Sequence, residues 1–418
     1  MSVQVTRLAN GLHVLTDTVE HVETVSLGAW VDIGARHEPA EINGISHLLE
    51  HMAFKGTERR SAQAIAEEIE TVGGHLNAYT SREHTAYYAK VLKQDAGLAV
   101  DIIADILQNS VFDAEELARE QSVVVQEINQ AEDTPDDIIF DHFQATAYPC
   151  QALGRPVLGT PETVRAIDGA TLKDFMRRTY TAETMVLAAA GNIAHDAFVA
   201  LAEAQFRDLP AAAVPPPETA AYAGGDFREG RDLEQVHLIL GFDGVAYDHP
   251  DYHAASVLST LLGGGMSSRL FQEIRERRGL VYSIFSFASS YTDGGVFSVY
   301  AGTGEDEVTE LIPVLCDQIA RAGDALTEEE LARARAQIKA GLLMGMESTS
   351  HRCESMARHQ LIHGRPVPME EMIAKIEAVD AAAVRAAAAS VLSGTPTVAA
   401  LGNLGKVEDF DSIRGRLG

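Results

Sequence analysis

Residues 115–119 read EELAR, and 214 positions later residues 329–333 read EELAR again. At the same offset HLLEHM, 47–52, lies on LLGGGM, 261–266. Two matches sharing one offset imply a chain built from two copies of one unit. The stretch between the copies, LPAAAVPPPETAAYAGG at 209–225, supports the division. Three successive prolines and a closing Gly pair cannot continue a helix or a central strand. The chain therefore reads as a first unit over 1–208, a linker over 209–230 and a second unit over 231–418. That division suits a length of 418 residues at about 100–200 residues per domain.

Each unit mixes two periodicities. Residues 23–33, 85–92, 235–242 and 296–301 are rich in β-branched and aromatic residues and read as strands. Helical patterns cover 61–72, 94–109, 114–131, 252–262, 306–322 and 327–346. Asp113 with Glu116, and Thr327 with Glu330, set a capping residue three positions ahead of an acid, which marks a helix start. Hairpin strands grouped between helices give an α+β class. The expected fold is two homologous domains, each a mostly antiparallel sheet with helices packed on one face.

Hydrophobic residues make up 46% and charged residues 22%, enough apolar material for sizeable cores. With 33 Lys+Arg against 61 Asp+Glu the formal charge is −28. Such a surface repels phosphate backbones and anionic lipid, so no nucleic-acid or membrane partner is expected, whereas cationic substrates are attracted. Cys150, Cys316 and Cys353 show no metal-binding spacing and cannot all pair, which points to a reducing compartment. The N-terminal stretch carries neither a basic segment followed by an apolar core nor a presequence pattern. No stretch approaches the roughly 18 apolar residues of a membrane span. A cytoplasmic protein, or an already processed form, is expected.

Residues 44–57 read GISHLLEHMAFKGT. On a helix His47 and His51 stand one turn apart on one face, so two imidazoles can reach one cation, with Glu50 beside both. The order H-x-x-E-H is the inverted zinc-peptidase motif. Neutral imidazole suits zinc, and a catalytic site needs three protein ligands and a water whose proton a nearby carboxylate can take. The helix over 114–131 offers Glu120 and Glu127, seven residues and therefore about 20° apart on its surface. With Val123 and Val124 between them the face reads as buried, where carboxylates need a cation or strong hydrogen bonds. One ligand and one partner for a histidine fit that need. At the offset of 214, Leu261, Gly264, Gly265, Ala334 and Gly341 replace His47, Glu50, His51, Glu120 and Glu127. Five polar groups vanish together, so they share one task confined to the first copy.

HLLEHMAFKGT, GGHLNAYTSREHTAYYAKVL, AREQSVVVQEI, FDHFQATAY and LGRPVLGT make the chain resemble the M16 family of zinc metallopeptidases, in its short, two-domain, processing-peptidase-like branch. The resemblance implies one Zn2+ per chain held by His47, His51 and Glu127, with Glu50 as general base and Glu120 supporting the site. It implies that Asn77, Ala78 and Tyr79 bind a substrate backbone by strand addition. Phe54 would line the pocket just after the scissile bond. Asp137 and Asp141 match positions that attract a substrate arginine, although their i, i+4 spacing suits two solvated carboxylates equally well.

In the second half the family pattern makes Arg275 and Tyr282 a further catalytic element, able to donate to a substrate carbonyl or oxyanion. Gly279 ends the intervening helix, so their spacing of seven is not helical. Longer members join four such domains into a hollow clamshell. This chain would form half of one and close as a homodimer with a shared site. The implied function is zinc-dependent cleavage of unfolded or presequence-like, preferably basic oligopeptides in a closed chamber. The alternative is a non-catalytic core or peptide-binding subunit, against which the full set His47, Glu50, His51 and Glu127 weighs. His75, His84 and His142 read as packed or exposed rather than ligating, and Trp30 as core.

Overall fold

The computed structural model describes residues 3–417, which form two compact units. The first gathers the chain up to Asn129, Arg155–Glu218 and Leu343–Pro368. The second gathers Gln130–Gly154, Thr219–Leu342 and the chain from Met369 onward.

The first unit is built on a six-stranded sheet of β1 (Gln4–Arg7), β2 (His13–Thr18), β3 (Thr24–Val31), β4 (His75–Thr80), β5 (Thr85–Leu92) and β6 (Met185–Gly191). Its order is β1-β2-β6-β3-β5-β4, with β2 and β6 parallel and every other pair antiparallel. The second unit holds β7 (Gly225–Gly230), β8 (Val236–Asp243), β9 (Val281–Ser290), β10 (Gly295–Thr303) and β11 (Thr397–Gly402). The order there is β7-β11-β8-β10-β9, with β7 and β11 the parallel pair. Without β1 the two orders trace the same path, so the duplication read from sequence is a duplication of topology.

β3 and β6 are buried along nearly their whole length because the sheet is covered on both sides. Val25, Leu27, Ala29 and Val31 face the main core, which the helices Ile45–Ala53, Ala96–Gln108, Gly169–Thr179 and His195–Phe206 complete. Trp30 faces the other way. With Leu15, Ala86 and Val186 it packs on Cys353, Met356 and Ala357 of the helix Thr349–His363. The second sheet repeats the arrangement. Ile239, Val296, Tyr300 and Leu401 meet Ile138, Ile139 and Phe143 of the helix Pro135–Ala147. Helices on one face thus describe the larger layer, and each sheet carries one further long helix on its opposite face. In both units that helix comes from the other copy's stretch of chain. Periodicity fixes which face of a helix is apolar but not which sheet it meets.

The caps form as read. Asp113 Oδ1 accepts from the N–H groups of Glu115 (2.9 Å) and Glu116 (3.1 Å). Thr327 and Glu330 cap each other reciprocally, each side chain accepting from the other's N–H at 3.1 Å. The helices Ala114–Glu132 and Glu328–Gly345 begin 214 residues apart, in agreement with the repeat. Ile45–Ala53 does not follow that offset. Its buried positions Ile45, Ser46, Leu48, Leu49, Met52 and Ala53 match Ala254, Ala255, Val257, Leu258, Leu261 and Leu262 of the helix Tyr252–Gly263. His47, Glu50 and His51 therefore correspond to Ser256, Ser259 and Thr260, not to Leu261, Gly264 and Gly265. Gly264 only caps the end of its helix. Among the described residues no helix is long and apolar enough to cross a membrane, and the three cysteines are unpaired.

Candidate metal centre

The helix Ile45–Ala53 starts at Gly44, whose φ of 95° lies in the left-handed region. A Cβ there would stand 2.7 Å from the Leu158 carbonyl oxygen, so the crossing requires glycine. The first N–H groups of the helix are met from outside. Buried Glu38 accepts from Gly44 N (2.7 Å), Ser46 N (2.8 Å) and Asn43 Nδ2 (2.8 Å). Burial raises the Glu38 carboxyl pKa, and these hydrogen bonds pull it back. A carboxylate at this end also meets the positive pole of the helix. Leu48, Leu49 and Met52 seat the opposite face in the core at about 1.5–3 kcal/mol per side chain. His47, Glu50 and His51 are left on the face that meets Ala114–Glu132.

There His47 Nε2 lies 3.6 Å and His51 Nε2 3.5 Å from the same atom, Glu127 Oε2. These gaps are longer than an ordinary N–H···O bond of about 2.7–3.2 Å. They suit donors each about 2.0–2.1 Å from one tetrahedral ion, whose edges measure about 3.3 Å. Among the described residues these three form the group of His, Cys, Asp or Glu whose ligand atoms lie within 4.8 Å of one another. Burial, then neighbouring His51, lowers the His47 pKa to about 4, which keeps the ring in the neutral form a metal binds. Its Nδ1 is buried without a hydrogen-bond partner among the described residues. Two imidazoles and one carboxylate are the donor set and count of a catalytic zinc site, so the residues fit the ion that the motif implies.

His51 Nδ1 lies 3.1 Å from Glu120 Oε2. A proton on Nδ1 donated to that carboxylate leaves the Nε2 lone pair for a metal. The other Glu120 oxygen, Oε1, pairs with Lys55 Nζ at 2.7 Å. Glu50 Oε2 accepts a 2.6 Å hydrogen bond from Thr80 Oγ1. Burial raises the Glu50 pKa, and the Thr80 bond opposes the rise. The stripe between Glu120 and Glu127 runs through Val124, which is buried, while Val123 is 38% exposed and lies off it. Sequence reading passed over Glu38, Lys55 and Thr80. Only Thr80 carried a signal, by alternation from Ala78.

Among the described residues β4 is an edge strand, paired with β5 alone. Asn77 Oδ1 accepts from the Ala78 N–H at 2.9 Å, so the strand's own side chain covers that donor. The Tyr79 hydroxyl donates to Glu354 on the helix Thr349–His363 at 3.0 Å. The pleat then turns Ala78 and Thr80 to the ligand-helix face. Phe54 follows that helix directly, its ring 6.3 Å from Tyr87. Its side chain packs against the main core, half-buried.

In the second unit Arg275 Nε donates to the Tyr282 carbonyl at 2.9 Å, and its guanidinium lies 4.7 Å from the Phe271 ring centre and 6.0 Å from that of Tyr282. Gly279, at φ 65°, follows the π-helical turn Phe271–Arg277 and turns the chain back, so these residues do meet. Tyr282 is 76% exposed. Asp137 and Asp141 share one face of Pro135–Ala147, also in the second unit. Burial, then Asp141 and Asp136, raises the Asp137 pKa. The first unit thus brings together His47, Glu50, His51, Glu120 and Glu127, with Phe54 and β4 on the same framework. His75 is exposed, His84 is buried, and the His142 ring stacks on Phe227 at 4.1 Å. None of the three joins the metal-binding group.

Known proteins place this arrangement. The insulinase description of Peptidase family M16 matches residues 13–161, and the Peptidase M16 inactive domain matches residues 166–338. A Rickettsia felis protein named as an uncharacterized zinc protease is 40% identical over 95% of this chain and 97% of its own. A probable mitochondrial-processing peptidase subunit beta of Arabidopsis thaliana is 36% identical over 99% of this chain and 81% of its own. The crystal structure of a protease from Helicobacter pylori superposes with a TM-score of 0.88, covering 96% of this chain and 99% of that one. At 22% identity that last likeness is one of fold.

Proposed function

The chain belongs to the M16 peptidase family, and from that premise we propose that it is a zinc-dependent endopeptidase of the processing-peptidase type, acting on unfolded or presequence-like, preferably basic oligopeptides. The observation that carries the reading is the convergence of His47, His51 and Glu127, with Glu50 beside them on the same helix. One Zn2+ per chain, held by those three, would polarise the scissile carbonyl and acidify a bound water. Glu50 takes the water's proton and returns it to the leaving amine. Thr80 holds one Glu50 oxygen, leaving the other for that transfer.

The free edge of β4 supports binding of an extended peptide, whose arrival displaces the Asn77 side chain from the Ala78 N–H. Phe54 offers an apolar wall to the residue after the cut. Asp137 and Asp141, on a chain of charge −28, favour an arginine in the substrate. Arg275 and Tyr282 supply donors to the reacting carbonyl. Each chain carries both elements, which supports a homodimer in which a second copy brings the Arg275–Tyr282 pair and closes the chamber.

Mass-spectrometric digestion of a presequence-like peptide tests the reading. Zinc-loaded wild type should cut and a chelator should stop it. Glu50→Gln should keep zinc and lose about 10²–10⁴ in rate. Zinc-loaded wild type that cuts nothing would favour a non-catalytic core subunit. Equal rates on an arginine-free peptide would remove the basic preference. Mixed Glu50→Gln and Arg275→Ala subunits should regain activity if the site is shared between copies.

A further inference from the structure

Lys55 follows the ligand helix and has no part in the roles assigned above. Its ammonium reaches only one carboxylate among the described ion pairs, Glu120, at 2.7 Å from Oε1. The opposite oxygen of the same carboxylate, Oε2, faces His51 Nδ1 at 3.1 Å. The Glu120 side chain is 8% exposed, so water contributes little to holding it. A carboxylate so enclosed can turn about its terminal bond, and each turn offers a different oxygen, or none, to the histidine. An ammonium on one oxygen fixes that rotation and offsets a charge that is costly to bury alone. We propose that Lys55 is a positioning residue for the metal centre: by pinning Glu120 it fixes the hydrogen bond that presents His51 Nε2 to the ion.

The inference rests on the zinc reading of His47, His51 and Glu127 and assigns Lys55 no contact with substrate or ion.

Zinc affinity, measured against a chromophoric chelator, and the imidazole 15N signals of His51 in labelled protein give readouts independent of turnover. Lys55→Met should weaken zinc binding by about 10–100-fold. It should also shift or broaden the His51 Nδ1–H signal, and the apo-protein should melt lower because Glu120 is left without its counter-ion. Lys55→Arg, which restores a cation to Glu120 Oε1, should recover most of the affinity and the signal. Zinc binding and His51 signals unchanged in Lys55→Met would overturn the proposal. So would a loss that Lys55→Arg fails to rescue. Glu127→Gln serves as the control. If it loses zinc while Lys55→Met does not, the role of Lys55 fails and the metal centre stands. If Glu127→Gln binds zinc like wild type, the metal centre itself is misassigned.

Discussion

The helix Ile45–Ala53 of the first copy and the helix Tyr252–Gly263 of the second bury the same stripe and differ on the polar one. In the first, His47, Glu50 and His51 look outward for partners and find Glu127, Thr80 and Glu120. In the second, the hydroxyls stay close to home. Ser256 Oγ donates to the Tyr252 carbonyl, and Thr260 Oγ1 to the Ser256 carbonyl, both at 2.9 Å. Ser259 lies within 3.4 Å of Ser286 on β9. A small cavity lined by Thr260, Leu261, Ala334 and Gln337 occupies the place where the first copy sets its histidine against its glutamate. The difference teaches that this fold needs only the buried stripe. The outward stripe is free to carry chemistry or to carry none.

The sharpest way to break that comparison is to exchange the polar groups. Ser259→Glu would put a carboxylate at a position 7% exposed, beside the Ser286 hydroxyl. It should destabilise the second unit by about 3–5 kcal/mol in urea unfolding. Glu50→Gln, at the matching place in the first copy, should leave the unfolding midpoint where it is or raise it, since burial already works against the Glu50 charge. Equal behaviour of the two variants would mean that the two surroundings are not different in kind.

The caps should behave alike, because there the copies agree. Asp113→Ala and Thr327→Ala should each cost about 1 kcal/mol. A twofold difference between them would show that equal sequence signals conceal unequal local stability.

A further contrast between the copies appears only in acid. Hydrogen bonds from Arg269 lower the Glu330 carboxyl from 4.5 to about 2. A carboxylate with a depressed folded pKa stabilises the fold above its unfolded value and loses that contribution as pH falls through the folded one. The stabilisation from this contact should be complete above about pH 4.5 and disappear toward pH 2. Arg269→Gln should flatten that part of a stability–pH profile. In the first copy Glu116 pairs instead with exposed Arg119 of its own helix, so Arg119→Gln should change the profile little.

Much of this architecture was legible in the residues. β-Branched runs at 85–92 and 235–242 became β5 and β8 within a residue, and Asp113 and Thr327 marked helix starts because capping is local chemistry. The trio His47, His51 and Glu127 was legible for the same reason: spacings of four and seven on helices translate directly into shared faces. The register of LLGGGM was not, because three glycines and a helix end interrupt the burial pattern that would have set it. Val123 was misplaced on the buried stripe by about one residue's rotation. Glu38 and Lys55 were hidden because each acts through a loop, and a loop's path has no period. The choice of sheet for Pro135–Ala147 and Thr349–His363 was equally silent. An apolar face looks the same whichever sheet it covers.

Those two helices carry a consequence in time. During synthesis the sheet that holds the metal-site helix is fully made once Glu218 has emerged, yet its second face, with Leu15, Trp30, Ala86 and Val186, waits for Cys353, Met356 and Ala357. At about 5–20 residues per second, that interval lasts on the order of ten seconds or more. Through it the nascent chain carries an uncovered apolar surface on the face of the sheet opposite its ligands. The unit that bears the site is therefore the one that must wait longest for its last helix, and it can be finished only after most of its copy has been made.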